Sequence, residues 1–188
     1  SAVLNGRLFV LGGQQDAGAR PLAVVESYNP ATDAWTTEAP LPTAREGLGA
    51  AVVEDTLYAV GGAQGKKYLV TVEAFTPGAG WSTKAPLPEP RANSFVAAFN
   101  GRLYVAGGNS TSDPETTLFA YHPASNSWSV LAPMPAGRYQ GSGAQFVNGK
   151  LHVVGGWTKQ PALPHGDLMI YDPAANRWSA APAALLRY

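Results

Sequence analysis

Cysteine is missing from all 188 residues. Its absence excludes disulfides, thiolate metal sites and cysteine nucleophiles. Charge is sparse too: Asp, Glu, Lys and Arg make up 14% of the chain, and the signs balance at 13 against 13. No basic stripe forms, so nucleic acid is not an expected partner. No apolar run approaches the ~18 residues of a membrane-spanning helix, so no membrane partner is expected. No stretch shows a convincing helical period. No leader is read at the start, because Ser1 leads straight into a strand-like run. The histidines are few and scattered, at His122, His152 and His165.

What the chain has in quantity is glycine (21) and proline (16), and both recur at fixed places. Gly-Gly pairs stand at Gly12-Gly13, Gly61-Gly62, Gly107-Gly108 and Gly155-Gly156. Trp35, Trp81, Trp128 and Trp178 keep the same rhythm, and each follows an aromatic (Tyr28, Phe75, Tyr121, Tyr171) by six or seven residues. Arg45, Arg91, Arg138 and Arg187 form a fourth series. Four markers sharing one period of about 47 residues define an internal repeat.

Each repeat reads as four short strands. An apolar strand such as Ala50-Ala51-Val52-Val53 meets a tight turn: Asn5-Gly6, Glu54-Asp55, Asn100-Gly101 or Asn148-Gly149. Asn-Gly between apolar runs signals a two-residue hairpin, whose central residues both need positive φ. The second strand, for example Leu103-Tyr104-Val105-Ala106, runs into the Gly pair, where backbones are expected to approach closely. The third strand carries the aromatic. A Pro turn then leads to a fourth strand that opens on Trp. The expectation is an all-β array in which each blade buries its faces against its neighbours. On that basis the four repeated tryptophans should be largely buried between blades, with Trp157 more exposed.

This set of markers resembles the kelch repeat, and the resemblance covers essentially the whole chain. It implies an all-β, kelch-type β-propeller with four blades of four antiparallel strands, at about 1–42, 43–88, 89–135 and 136–186, in one domain over 1–188. The kelch family usually builds rings of six or seven blades, so four suggest part of a larger ring or half of an eight-bladed dimer. Arg187-Tyr188 reads as the start of a further blade and Ser1 as the resumption of an innermost strand, so both ends are expected to be cuts in a longer array.

The resemblance also implies a ligand face made of two loop sets. One set follows the Gly pairs and places Gln14, Ala63, Asn109 and Trp157 there. The other lies just past the Arg series and places Glu46, Ala92, Tyr139 and Tyr188, then Gly47, Asn93 and Gln140. Trp157 stands outside the repeat register, as a binding anchor would or as a residue packed on its own loop. The guanidiniums of Arg45, Arg91, Arg138 and Arg187 have two readings: contacts for an acidic partner, or structural groups bonding loop carbonyls and bridging blades. Strict periodicity favours the structural one.

No catalytic constellation stands out in the sequence. His122 occupies a Pro-turn position, and His152 a packing position shared with Phe9, Tyr58 and Tyr104. His165 lies near Asp167 but lacks a third ligand. Gly141-Ser142-Gly143 is not a nucleophile elbow, and Gly65-Lys66-Lys67 is not a phosphate loop. Asn109-Ser110-Thr111 fits a glycosylation acceptor, a pattern common by chance. The copper chemistry of the galactose-oxidase type of kelch relative requires a cysteine. No catalytic residue, metal site or cofactor is therefore expected. The leading expectation is a binding or scaffold module for a protein or peptide, with a glycan as a further option. The alternatives are the propeller portion of a sugar-active enzyme and a fragment that self-assembles through open blade faces.

Overall fold

A computed structural model describes residues 1–16, 18–110, 114–140, 143–158 and 166–181. Arg187, Tyr188 and His165 lie outside the described residues. The chain divides into two compact units, Ser1–Ala92 and Asn93–Tyr188. Each contains two four-stranded antiparallel sheets whose strands run across the sheet in chain order. In the first unit, β1 (Ala2–Leu4), β2 (Arg7–Leu11), β3 (Val25–Asn29) and β4 (Ala34–Thr37) form one sheet. The second holds β5 (Gly49–Val53), β6 (Thr56–Val60), β9 (Val72–Thr76) and β10 (Gly80–Thr83), with a small hairpin, β7 (Ala63–Gln64) and β8 (Lys67–Tyr68), in its central loop. In the second unit, β11 (Phe95–Phe99), β12 (Arg102–Ala106), β13 (Leu118–His122) and β14 (Ser127–Leu131) make the third sheet. β15 (Gly143–Val147), β16 (Lys150–Val154), β17 (Leu168–Asp172) and β18 (Arg177–Ala181) make the fourth. Among the described residues the one helical element is a short 3-10 turn, Pro123–Ser125.

The repeat markers each have a local cause. At the Asn-Gly hairpins both turn residues take positive φ, as at Asn5 (50°) and Gly6 (73°) or Asn148 (49°) and Gly149 (75°), which suits the strand twist. The aromatic and the Trp are cross-strand partners: Tyr28 faces Trp35, Phe75 faces Trp81, Tyr121 faces Trp128 and Tyr171 faces Trp178. Their ring centroids lie 5.0–5.3 Å apart, a spacing suited to tilted aromatic pairs. Where the aromatic is Tyr, its hydroxyl donates to the turn residue two before the Trp, at 2.7 Å: Asp33, Asn126 or Asn176. Those acceptors hold left-handed φ of 47–52°. Phe75 has no hydroxyl, and its turn, one residue shorter, instead uses Gly78 and Gly80 at φ of 81° and 82°.

The Gly pairs and the Arg series explain each other. A Cβ on Gly12, Gly61 or Gly107 would lie 2.4 Å from the carbonyl oxygen of Arg45, Arg91 or Arg138 respectively. The next glycine's N–H donates to that same carbonyl in all three cases, at 2.8–3.0 Å. Glycine is required here because backbone meets backbone, at a φ of 57–61° that L side chains rarely adopt.

Each unit has its own core between its two sheets. In the first, Leu4, Phe9, Leu11 and Val25 of one sheet pack with Leu57 and Ala59 of the other, with Val52, Phe75 and Trp81 against them. In the second, Phe95, Ala97, Tyr104 and Leu118 pack with Leu151, Val153, Met169 and Tyr171. The Trp81 indole donates to the Ala39 carbonyl at 2.9 Å and the Trp178 indole to the Ala132 carbonyl at 2.8 Å, each linking one sheet to the sheet before it.

Trp35 departs from the expected burial. It is 55% exposed, more than Trp157 at 39%, whereas Trp81, Trp128 and Trp178 are half-buried. Val3, Leu8, Tyr28 and Trp35 form a cross-strand row on the first sheet. That row lies on the face turned away from the second sheet, which packs on Leu4, Phe9 and Val25 instead. The equivalent rows, Val52-Leu57-Phe75-Trp81 and Phe146-Leu151-Tyr171-Trp178, are packed against the sheet before them in their own units.

Candidate functional site

In the first unit, the residue after Arg45 and the residue after the Gly pair are joined by the backbone. Glu46 N–H donates to the Ala63 carbonyl at 3.0 Å, and Ala63 N–H returns the bond at 2.8 Å. Glu46 is half-buried, Ala63 is buried and Gln14 is exposed. Gly47 takes φ of 59°, which turns the chain from this bridge into β5. Ala92 is buried. Gln64 is a polar group that the repeat register does not mark: its side-chain amide donates to the Ala44 carbonyl at 2.9 Å. It lies in the inserted hairpin, whose length varies between repeats and carries no periodic signal.

In the second unit the expected loop residues form one connected group. Tyr139 N–H donates to the Trp157 carbonyl at 3.2 Å, and Trp157 N–H to the Tyr139 carbonyl at 2.8 Å. This repeats the Glu46–Ala63 bridge one unit on. Gln140 N–H donates to the Asn93 carbonyl at 3.0 Å, and the Asn93 side chain donates to Asn109 Oδ1 at 3.0 Å. Asn93 and Gln140 both hold left-handed φ, 54° and 51°, in the place Gly47 fills in the first unit. The group exposes the Trp157 indole and the Gln140 amide, with the Asn93, Asn109 and Tyr139 side chains half-buried between them. Ser110 adjoins it and donates to Glu115 Oε1 at 2.6 Å. The chemistry on offer is amide, phenol and indole, groups that pair with peptide backbone and polar side chains and supply flat apolar area.

The arginines lie beneath these loops. Arg45 is wholly buried, bonding the Thr43 and Ala59 carbonyls at 2.9 and 3.1 Å and Glu73 Oε2 at 2.5 Å. Glu73 is also buried, and its other oxygen accepts from the Thr43 hydroxyl at 2.6 Å. Arg138 bonds the Gly137 carbonyl at 3.0 Å and Asp167 Oδ2 at 3.2 Å. Arg91 reaches Glu89 at 2.8 Å. Arg45 and Arg138 thus each tie backbone carbonyls to a carboxylate, and Arg91 bonds the Glu89 carboxylate.

His122 Nε2 lies 3.0 Å from the Ser129 hydroxyl, and His152 Nδ1 lies 2.9 Å from the Lys150 carbonyl. Among the described residues no three His, Asp or Glu side chains are grouped to hold a metal ion.

The family model for the Kelch motif matches residues 1–42, 90–135 and 138–183. The unmatched stretch builds the second sheet, with the same strand order as the others. It departs from the motif in its Glu54-Asp55 turn and its Phe75 turn. The chain is 27% identical over 190 residues to Kelch-like protein 36 of Mus musculus, covering 96% of this chain and 30% of that protein. It is 30% identical over 186 residues to Kelch-like protein 35 of Mus musculus, with the same two coverages. A shorter stretch of 54 residues is 48% identical to Kelch-like protein 1 of Mus musculus, covering 29% of this chain and 7% of that protein. The chain spans about 30% of the length of the first two relatives. On the family match, the shared markers and the four repeated sheets, the chain belongs to the kelch-motif family.

Proposed function

We propose that this chain is a protein-binding module that recognises a peptide segment through its loops and catalyses no reaction. The observation that carries this reading is the hydrogen-bonded group Asn109–Asn93–Gln140–Tyr139–Trp157. It presents amides and two aromatic side chains on a backbone held by buried arginine. Rigid aromatic anchors ringed by amides lose little conformational entropy on binding. Glu46, Gln14 and Gln64 offer a second, more polar set in the first unit. The test is selection of binders from a random peptide library, followed by amide shift mapping of the best binder on the full chain. Shifts centred on residues 93, 109, 139, 140 and 157 are expected. A binder that maps elsewhere, or a library that yields none, overturns the reading.

A second reading is favoured by the exposed row of the first sheet. Val3 is 62% exposed and Trp35 55%, with Leu8, Val10 and Val24 also exposed. The equivalent rows of the second and fourth sheets are covered. Exposed apolar faces of this kind drive association, and this reading has the 188-residue chain pair with a second copy through that face. Sedimentation equilibrium at micromolar concentration tests it, with a dimer expected and a monomer overturning it.

A further inference from the structure

The peptide-binding loops stand at one end of the strands, beyond the Gly pairs. A cavity of about 460 Å³ opens at the other end, between the hairpins of the third and fourth sheets. That volume lies within the range of small-ligand sites. Its apolar wall includes Phe99 and Tyr104. The Phe99 ring stacks on Phe146 with centroids 4.5 Å apart and planes 10° from parallel, and Tyr104 lies 4.9 Å from Phe146. Gly149 closes one side, and an added Cβ there would meet only the Phe99 ring edge, at 3.7 Å.

Three charged side chains line this cavity. Lys150 Nζ lies 3.0 Å from Asp172 Oδ2, so those two charges offset each other. The Arg102 side chain is exposed and makes no hydrogen bond or ion pair with another described residue. The equivalent arginine of the first sheet is committed: Arg7 donates to the Thr36 hydroxyl at 2.9 Å and lies 3.8 Å from Glu38. The hairpin of the second sheet that corresponds to Asn148-Gly149 is Glu54-Asp55, which is acidic. An uncommitted guanidinium beside an aromatic wall therefore occurs at the second unit's hairpins and is not repeated in the first.

We propose that this cavity is a second recognition site, which takes an acidic peptide segment. Arg102 is the counter-ion for an Asp or Glu carboxylate, which a guanidinium can meet with two parallel hydrogen bonds. The Phe99–Tyr104 wall receives the flanking apolar or aromatic side chain. Lys150 and Asp172 offset each other, so Arg102 alone carries the cavity's net positive charge. The site is independent of the loop group, since it uses none of its residues.

The probe is an N-acetylated, C-amidated Glu-Phe-Glu peptide, titrated into the full chain and followed by backbone amide shifts. Saturable shifts at Asn100, Arg102, Asn148 and Gly149 are expected. Arg102→Gln should weaken binding about 10-fold, and the Gln-Phe-Gln peptide should be weakened by a similar factor. Arg102 is exposed, so the variant keeps the wild-type amide spectrum away from the cavity. Trp157→Ala should leave the affinity unchanged, which separates this site from the loop site. No saturable shift, equal affinity for Gln-Phe-Gln, or unchanged affinity in Arg102→Gln would each overturn the proposal. So would inorganic phosphate producing the same shifts with the same affinity, since the aromatic wall would then play no part.

Discussion

Replacing Arg45 by alanine removes the centre of the best-buried ion pair in the molecule's described part. The arginine side chain is 0% exposed and that of Glu73 3%. In the variant the Thr43 and Ala59 carbonyls and one Glu73 oxygen lose the guanidinium donor, while the Glu73 carboxylate keeps only the Thr43 hydroxyl at 2.6 Å. An uncompensated buried charge of this kind costs about 3–5 kcal/mol. The contrast is Arg138, whose partner Asp167 has a side chain 38% exposed. Water can solvate that carboxylate once the arginine is gone, so Arg138→Ala should cost only about 1–3 kcal/mol, the scale of a charged hydrogen bond. Urea denaturation of the full chain measures both. The Arg45→Ala, Glu73→Ala double variant should lose less than the sum of its parts, with a coupling of about 1–3 kcal/mol. If Arg45→Ala unfolded within about 1 kcal/mol of wild type, or no more easily than Arg138→Ala, the buried pair would not be what fixes this loop.

Three further outcomes follow from the repeat geometry. Gly61→Ala forces a Cβ to 2.4 Å from the Arg91 carbonyl, while Gly65→Ala shares its φ of 61° but meets open space; denaturation should show a loss of about 3 kcal/mol or more for the first and about 1–2 kcal/mol for the second, and equal losses would contradict the close-approach argument. Trp81→Ala removes a core ring and the bond to Ala39 and should cost about 3–5 kcal/mol, whereas Trp35→Ala should cost under about 1 kcal/mol because the ring is already exposed; thermal melts that rank them the other way would refute the packing account. The Tyr171 phenol is pushed from 10.0 up to about 12 by burial first, then by Tyr104 and the Asp172 carboxylate. The folded chain therefore holds that proton where the unfolded chain has released it, so the Tyr171 contribution is intact below pH 10 and is lost as pH rises to about 12. Tyr171→Phe should flatten that alkaline fall in urea midpoints, and an unchanged fall would show that another group causes it.

The blades were legible because each marker reports a local requirement. The Tyr-to-Trp interval is the length of one hairpin, and the Gly pair records a backbone contact that no side chain fits. Trp35 departs from the expected burial because its burial depends on a neighbouring sheet and not on its own repeat: the same residue in the same register is half-buried at Trp81 and exposed at the first sheet. The arginine positions were periodic, but their carboxylate partners were not. Glu73, Glu89 and Asp167 occupy different places relative to their repeats, so sequence spacing did not pair them. The loop group was half visible. Its members were marked one blade at a time, while the Asn93–Asn109 bond closes within the third repeat and the Gln140–Asn93 bond joins the fourth repeat to the third. The cavity at the opposite strand ends left no sequence signal, because Phe99, Arg102 and Lys150 are ordinary strand and turn residues until two hairpins are set side by side.

The loop group of the second unit is the proposed place where this kelch chain meets its partner. Isothermal titration of the best library-selected peptide against wild type, Trp157→Ala and Tyr139→Ala tests it most directly. Both variants should keep the wild-type melting temperature within a few degrees and lose affinity by about 10-fold or more. Affinity unchanged in both, with the fold retained, would contradict it.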